Sequence, residues 1–181
     1  MLFYKDNALT NITALANWNV SNVRDMTGMF YSCKFSDVSA LANWNVSNVT
    51  DMWSMFSMNG VSNPPLSNIT SLANWNVSNV TDMTGMFRDC TNLTDITALA
   101  NWNVRNVATM YYMFINCSNL TDITALANWN VSKVENMNAM FNSCTNLTTL
   151  DMSGWDTGKV TDITNFLSNC SKITTWKVNF L

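Results

Sequence analysis

Histidine is absent from this chain, glutamate occurs once, at Glu135, and proline stands only at Pro64 and Pro65. Without an imidazole the commonest general base and metal ligand is missing, and no nucleophile stands beside a base. The chain is therefore expected to be no enzyme and to carry no cofactor. Lys and Arg total 9 against 12 acidic residues, a net charge of −3, which leaves no basic field for a phosphate backbone and excludes nucleic acid as a partner. No run approaches the roughly 18 apolar residues that cross a bilayer, so no membrane insertion is expected. Residues 1–10 lack the charged and apolar regions of a signal peptide. No Cys-x-x-Cys pair exists, which argues against zinc.

The residues that are present make a folded protein: 48% are hydrophobic and 12% charged, far from a disordered composition. Trp recurs at 18, 44, 75, 102, 129 and 155, and NWNVSNV appears verbatim at 17–23, 43–49 and 74–80. Intervals of 26, 31, 27, 27 and 26 residues are the period of a solenoid. The units run roughly 9–34, 35–65, 66–92, 93–119, 120–146 and 147–171, in one array, with a terminal half unit at 172–181. Length changes, including a four-residue insertion within 57–65, fall between the Phe of one unit and the Trp of the next. The stretch from Trp to Phe, or to Leu167 in the last unit, keeps its length.

Two periodicities alternate within a unit. Val80, Met83, Met86, Phe87 and Cys90 follow the i, i+3, i+6, i+7, i+10 pattern of one helical face, as do Val134, Met137, Met140, Phe141 and Cys144. The pattern predicts helices of about ten residues, capped by Asn, Ser or Gly158, with Asp25, Asp51, Asp82 and Asp162 in the first turn. The other half is rich in Thr, Ile and Leu and reads as a short strand. Leu147, Leu150, Met152 and Trp155 match a leucine-rich repeat, whereas Leu93, Ile96, Leu99 and Trp102 are spaced by threes and imply a bulge or tight turn. Strands stack about 4.8 Å apart and helices roughly 8 to 10 Å, so such an array must bend. The expected fold is an α/β leucine-rich-repeat-type solenoid, a right-handed curved arc of about six rungs of short parallel strand plus short helix.

Units such as WNVSNVTDMTGMFRDCTNL, residues 75–93, resemble the BspA-like leucine-rich-repeat surface proteins of bacteria, and the likeness recurs along nearly the whole chain. That resemblance implies an extracellular or cell-surface protein, wall-anchored or lipid-anchored, whose repeats take part in adhesion or host binding. Its partners would be proteins or glycans on a host or neighbouring cell.

Several constellations invite a function. The Met and Phe columns keep strict repeat spacing and read as core. Cys33, Cys90, Cys117, Cys144 and Cys170 form one column, with Asn59 in the unit carrying the insertion, and read as free buried thiols. Asn-x-Ser/Thr sequons at Asn45, Asn48, Asn76 and Asn79 lie within the repeat, where Asn closes turns and caps helices. On the strand side run columns of Thr and Ser, with Asp37, Asp95 and Asp122 between them. Such a face is solvated β surface, with binding of calcium or ice as the sharper alternatives. Where units differ, Trp53 replaces a small polar residue, Tyr111 and Tyr112 replace Thr-Gly, and the insertion adds Pro64 and Pro65. Exposed aromatics on a rigid support are what interface anchors look like, so these five are the candidate partner-binding residues, set against simple drift.

Two functional readings follow, a noncatalytic surface module binding protein or glycan, and a structural spacer without a ligand. Residues 172–181 form a strand-like half unit with no polar cap, which predicts end-to-end self-association. Light scattering checks this: the expected result is a mass that grows with concentration, and a clean monomer defeats it.

Overall fold

The computed structural model describes residues 2–62 and 64–178. The chain winds as a repeat solenoid whose successive units stack in register. Parallel bridges run from Asp25 to Asp51, Asp82, Thr109, Asn136 and Asp162, tying six consecutive units together. A second line pairs Asp37 with Asn68 and Asp122 with Thr149. There it enters the parallel strands β1 (Thr149–Met152) and β2 (Thr175–Val178). The expected terminal half unit is thus a strand through 178, and 179–181 lie outside the described residues. Single 3₁₀ turns occupy Thr13–Leu15, Ser39–Leu41, Thr70–Asn74, Thr97–Leu99 and Thr124–Leu126. These are the tight turns implied by apolar residues spaced in threes.

The Met-Phe segments do not form the predicted helices, and no α-helix occurs among the described residues. Each segment is instead a run of overlapping turns, such as Met86 N–H to Met83 C=O, Arg88 to Gly85 and Cys90 to Phe87. The intervening amides point out of the unit to the next one: Met83 to Thr109, Gly85 to Tyr111, Phe87 to Met113 and Asp89 to Ile115, at 2.8–3.1 Å. Alternation of this kind requires left-handed residues at fixed places. Gly28, Ser54, Gly85, Tyr112, Ala139 and Asn165 make one such column, and Ser32, Asp89, Asn116, Ser143 and Asn169 another. Gly, Asn, Asp and Ser dominate because they visit that region at least cost. A ten-residue helix is marginal alone, so bonds to a neighbouring unit compete well against bonds within one.

This change removes the premise for the curved arc. The Met-Phe side of each rung is now spaced by backbone hydrogen bonds, the other side by such bonds at Ser67 to Ser36 and Thr148 to Thr121, and the Phe column stacks at 5.7, 5.8, 5.6 and 5.5 Å from Phe30 through Phe141. No wide helical layer forces one side open.

Each unit turns its corners with side-chain amides and carboxylates. Asn11, Asn19 and Asp25 accept from the N–H two residues ahead, and so do Asp37, Asn45 and Asp51, and Asp122, Asn130 and Asn136. These are Asx turns, so Asp25 and Asp51 close corners where a helix start was expected. The second Asn of the sequon pairs plays another part, since Asn48 and Asn79, and Asn106 at the same place of its unit, each donate Nδ2 to a Ser carbonyl of the previous unit at 2.8 Å.

The interior follows the sequence pattern. Met83, Met86, Phe87, Cys90, Leu93, Ile96, Leu99 and Trp102 are buried, with their equivalents in neighbouring units. Trp44, Trp75, Trp102, Trp129 and Trp155 each donate the indole N–H to a Leu carbonyl one unit back, at 2.8–3.0 Å. Each bond contributes about 1 kcal/mol net, and the buried ring would otherwise strand a donor. The thiols of Cys90, Cys117 and Cys144 likewise donate to Phe56, Phe87 and Phe114 carbonyls at 3.2–3.4 Å.

Burial pushes the Cys33 thiol up to about 11 and those of Cys90, Cys117 and Cys144 higher still, with Cys170 raised as well. A thiol whose pKa lies above the working pH presents little reactive thiolate. Ellman's reagent at pH 8 should label the half-exposed Cys170 first and reach the other four only on unfolding; rapid reaction of Cys117 in the native protein would contradict the packing. A methyl at Gly154 would overlap the Ala127 carbonyl oxygen of the preceding unit. Gly154→Ala should therefore cost roughly 1–3 kcal/mol, read as a lower urea midpoint at unchanged slope.

Candidate interaction surface

The polar strand side carries the Asp candidates. Asp37, Asp95 and Asp122 each spend one carboxylate oxygen on the N–H two residues ahead, at 2.7–2.9 Å. The Ser39 hydroxyl and N–H beside Asp37 hold its carboxyl below the ordinary carboxylate range. Asp95 and Asp122 share a shallow hollow of about 230 Å³ with Thr94, Thr97 and Thr124. Asp37 borders a separate one of about 230 Å³, where its neighbours are Asn11 and Thr10. Among the described residues no group of three or more His, Cys, Asp or Glu side chains converges as a metal site. The arrangement builds turns, and the three aspartates are not brought together.

The insertion packs back on the array. Pro64 is buried and Pro65 half-buried, and the Pro64 carbonyl accepts from Asn92 Nδ2 at 2.8 Å. Neither proline is a projecting anchor. Asn59, at the vacant cysteine place, accepts from Tyr31 Oη at 2.8 Å and donates to Asp89 Oδ2 at 2.9 Å, and its backbone carbonyl accepts from the Ser32 hydroxyl. Asn116 Nδ2 reaches the other oxygen of Asp89 at 2.5 Å. Tyr31, Asn59, Asp89 and Asn116 thus form one polar chain across four units.

The aromatic candidates gather beside that chain. The carbonyls of Trp53, Thr84, Tyr111, Asn138 and Thr164 accept in turn from Gly28, Ser54, Gly85, Tyr112 and Ala139, which places Trp53 and Tyr111 in one column two units apart. Trp53 is 37% exposed. Its indole N–H has no hydrogen-bond partner among the described residues, in contrast to the buried Trp column. Tyr111 and Tyr112 stack with centroids 3.6 Å apart. The Tyr112 phenol beside it, with burial second, pushes the Tyr111 phenol up to about 12. Arg88 lies 5.3 Å over the Tyr112 ring and is held by Asp89 through an ion pair of 3.1 Å. Tyr112 adopts φ 61, a left-handed conformation that costs a bulky residue about 1–2 kcal/mol. The repeat fills that place with Gly28 and Gly85 elsewhere.

Arg88 and Asp89 do not stand out in the sequence. Neither breaks a motif, and only the stacking register shows that the insertion, Arg88 and Tyr112 meet. A second aromatic pair lies at the low-numbered end, where Tyr4 stacks on Tyr31 at 4.7 Å with Lys5 over both rings.

No helix among the described residues is long and apolar enough to cross a membrane. No curated protein matches the sequence. Among solved structures the chain is similar to internalin C2 of Listeria monocytogenes, at 18% identity and TM-score 0.28 over 82% of this chain and 69% of that one. It is also similar to the internalin inlF of the same organism, at 18% identity and TM-score 0.20 over 92% and 70%. The family model described as Mycoplasma protein of unknown function, DUF285, matches residues 1–122 and 94–179, and the chain belongs to that family.

Proposed function

We propose that this chain is a noncatalytic interaction module of a bacterial surface protein, in which the repeated residues build the scaffold and the unrepeated ones read a protein or glycan partner. The observation that carries the reading is the column shared by Trp53 and Tyr111, with Tyr112 and Arg88 packed beside Tyr111. The scaffold does not need the side chains of Trp53, Tyr111 and Tyr112, since equivalent units close with Thr27, Thr84, Gly28 or Gly85. The stacking register imposes the left-handed conformation at this column, and Tyr112 accepts its cost where Gly28 and Gly85 avoid it. Aromatic and Arg side chains held on a rigid support are the residue types that dominate interface energetics.

The likeness of residues 75–93 and their equivalents to BspA-like leucine-rich-repeat surface proteins supports display outside the cell and a role in adhesion. The absence of histidine supports a module without catalysis. The spacer reading needs no exposed aromatic cluster and leaves Tyr112 unexplained.

Solid-phase binding to extracellular-matrix proteins and to a glycan array tests the proposal. The wild-type chain should bind at least one of them. A Trp53→Thr, Tyr111→Thr, Tyr112→Gly triple variant should lose most of the signal while retaining its fold by circular dichroism. A chain that binds nothing on either surface is a spacer.

A further inference from the structure

The column through Trp53 has an unusual division of labour. In other units its side chains are consumed internally: Thr27 Oγ1 donates to Asp51 at 2.9 Å, Thr84 Oγ1 shares a bond with Thr109 at 3.1 Å, and Asn138 Nδ2 reaches Asp162 at 3.1 and 3.3 Å. Trp53 and Tyr111 take no part in such bonds between units. They place two aromatic rings on one face with only Thr84 between them, across two steps that measure 5.8 and 5.6 Å in the adjoining Phe column. Tyr111 is backed by Tyr112, itself fixed by Arg88, so that platform is preorganised.

The polar fringe is equally specific. Asp51 spends Oδ1 on the Trp53 N–H and Thr27, and Asp82 spends Oδ1 on the Thr84 N–H. Their second oxygens have no partner among the described residues. Arg88 gives Nε to Asp89, leaving both terminal amino groups without an acceptor among the described residues. Acceptors and donors therefore flank the rings. The charges sum to acidic, since Asp51, Asp82 and Asp89 outnumber Arg88, in a chain of net charge −3. Sulfated, phosphorylated or carboxylated ligands would be repelled there. The hollows at Thr10–Ala40, Leu2–Met29, Thr94–Ala125 and Asn128–Asp156 are lined by none of Asp51, Trp53, Asp82, Arg88, Tyr111 and Tyr112.

We propose that the Trp53–Tyr111 face binds an uncharged, extended oligosaccharide, with two sugar rings stacked on Trp53 and Tyr111 and hydroxyls bonded by Asp51, Asp82 and Arg88. This rests on the interaction reading above and gives it a ligand class. A pyranose presents a C–H face to an aromatic ring and hydroxyls around its rim, which matches apolar platforms with a polar fringe. In an extended β-1,4-linked chain alternate rings present the same face. Platforms in the same column but two units apart therefore address rings i and i+2, with Thr84 leaving room for the ring between.

Isothermal titration calorimetry with cello-, xylo- and chito-hexasaccharides, set beside an acidic oligogalacturonate and extracellular-matrix proteins, tests the assignment. At least one neutral hexasaccharide should bind, with little dependence on salt and more weakly as a disaccharide. Trp53→Thr and Tyr111→Thr each install the residue of a neighbouring unit and should each lower affinity about tenfold at unchanged melting temperature; Tyr111→Phe should keep most of it. Neutral sugars that fail to bind, or bind equally well to the double variant, overturn the proposal, as does preference for the acidic sugar. If a matrix protein binds through Trp53 and Tyr111 while every sugar fails, the sugar assignment falls and the interaction module stands. If neither binds, both fall.

Discussion

The structure depends on the backbone hydrogen bonds that leave each Met-Phe segment for the next unit. Met83, Gly85, Phe87 and Asp89 donate forward, and the same four positions do so in the units around them. This arrangement sets the sign of φ at two columns, the spacing of units and the stacking of the Phe rings. Once those bonds exist, the other inter-unit contacts fall into place. Trp indoles reach Leu carbonyls, thiols reach Phe carbonyls and Asn amides reach Ser carbonyls, each across one step. No buried side-chain nitrogen or oxygen among the described residues is left without a partner.

The core and its columns are legible in the sequence because both helices and stacked turns bury residues at near-threefold spacing. Val80, Met83, Met86, Phe87 and Cys90 are all buried as the pattern requires. The same degeneracy hides the backbone. An i, i+3, i+6, i+7 pattern does not distinguish a helix from overlapping turns whose alternate amides leave the unit. A signal is available in Gly28, Gly85 and Asn165, which tolerate left-handed geometry in one fixed column where helix formers are due. Asp25 and Asp51 read as helix starts for a related reason, since an Asx turn and an N-cap use the same carboxylate geometry.

The candidate surface is half visible in the sequence. Trp53, Tyr111 and Tyr112 stand out because they break a repeat, whereas Arg88 and Asp89 occupy two columns that vary from unit to unit. The contact of Arg88 with Tyr112 crosses 24 residues of sequence, that of Asp89 with Asn116 crosses 27, and both exist only through the stacking register. Pro64 shows the opposite error. An insertion reads as a projection, but this one folds inward because Asn59 and Asn92 give its polar groups partners on the array.

The forward-pointing amides also form continuous strings. Gly28 donates to the carbonyl of Trp53, whose peptide unit ends in the Ser54 N–H, which donates to Thr84, and the string passes through Gly85, Tyr112 and Ala139 to Thr164. Four such strings run side by side, only partly opposed by the reversed bonds at Thr50, Thr81 and Ser67. Linked peptide dipoles polarise one another and add, as they do along an α-helix. The array therefore carries an axial dipole written in its backbone, positive toward the high-numbered units and negative toward the low-numbered ones. A molecule lying along the solenoid meets a field with a direction, and the two ends of a bound chain are not equivalent to it.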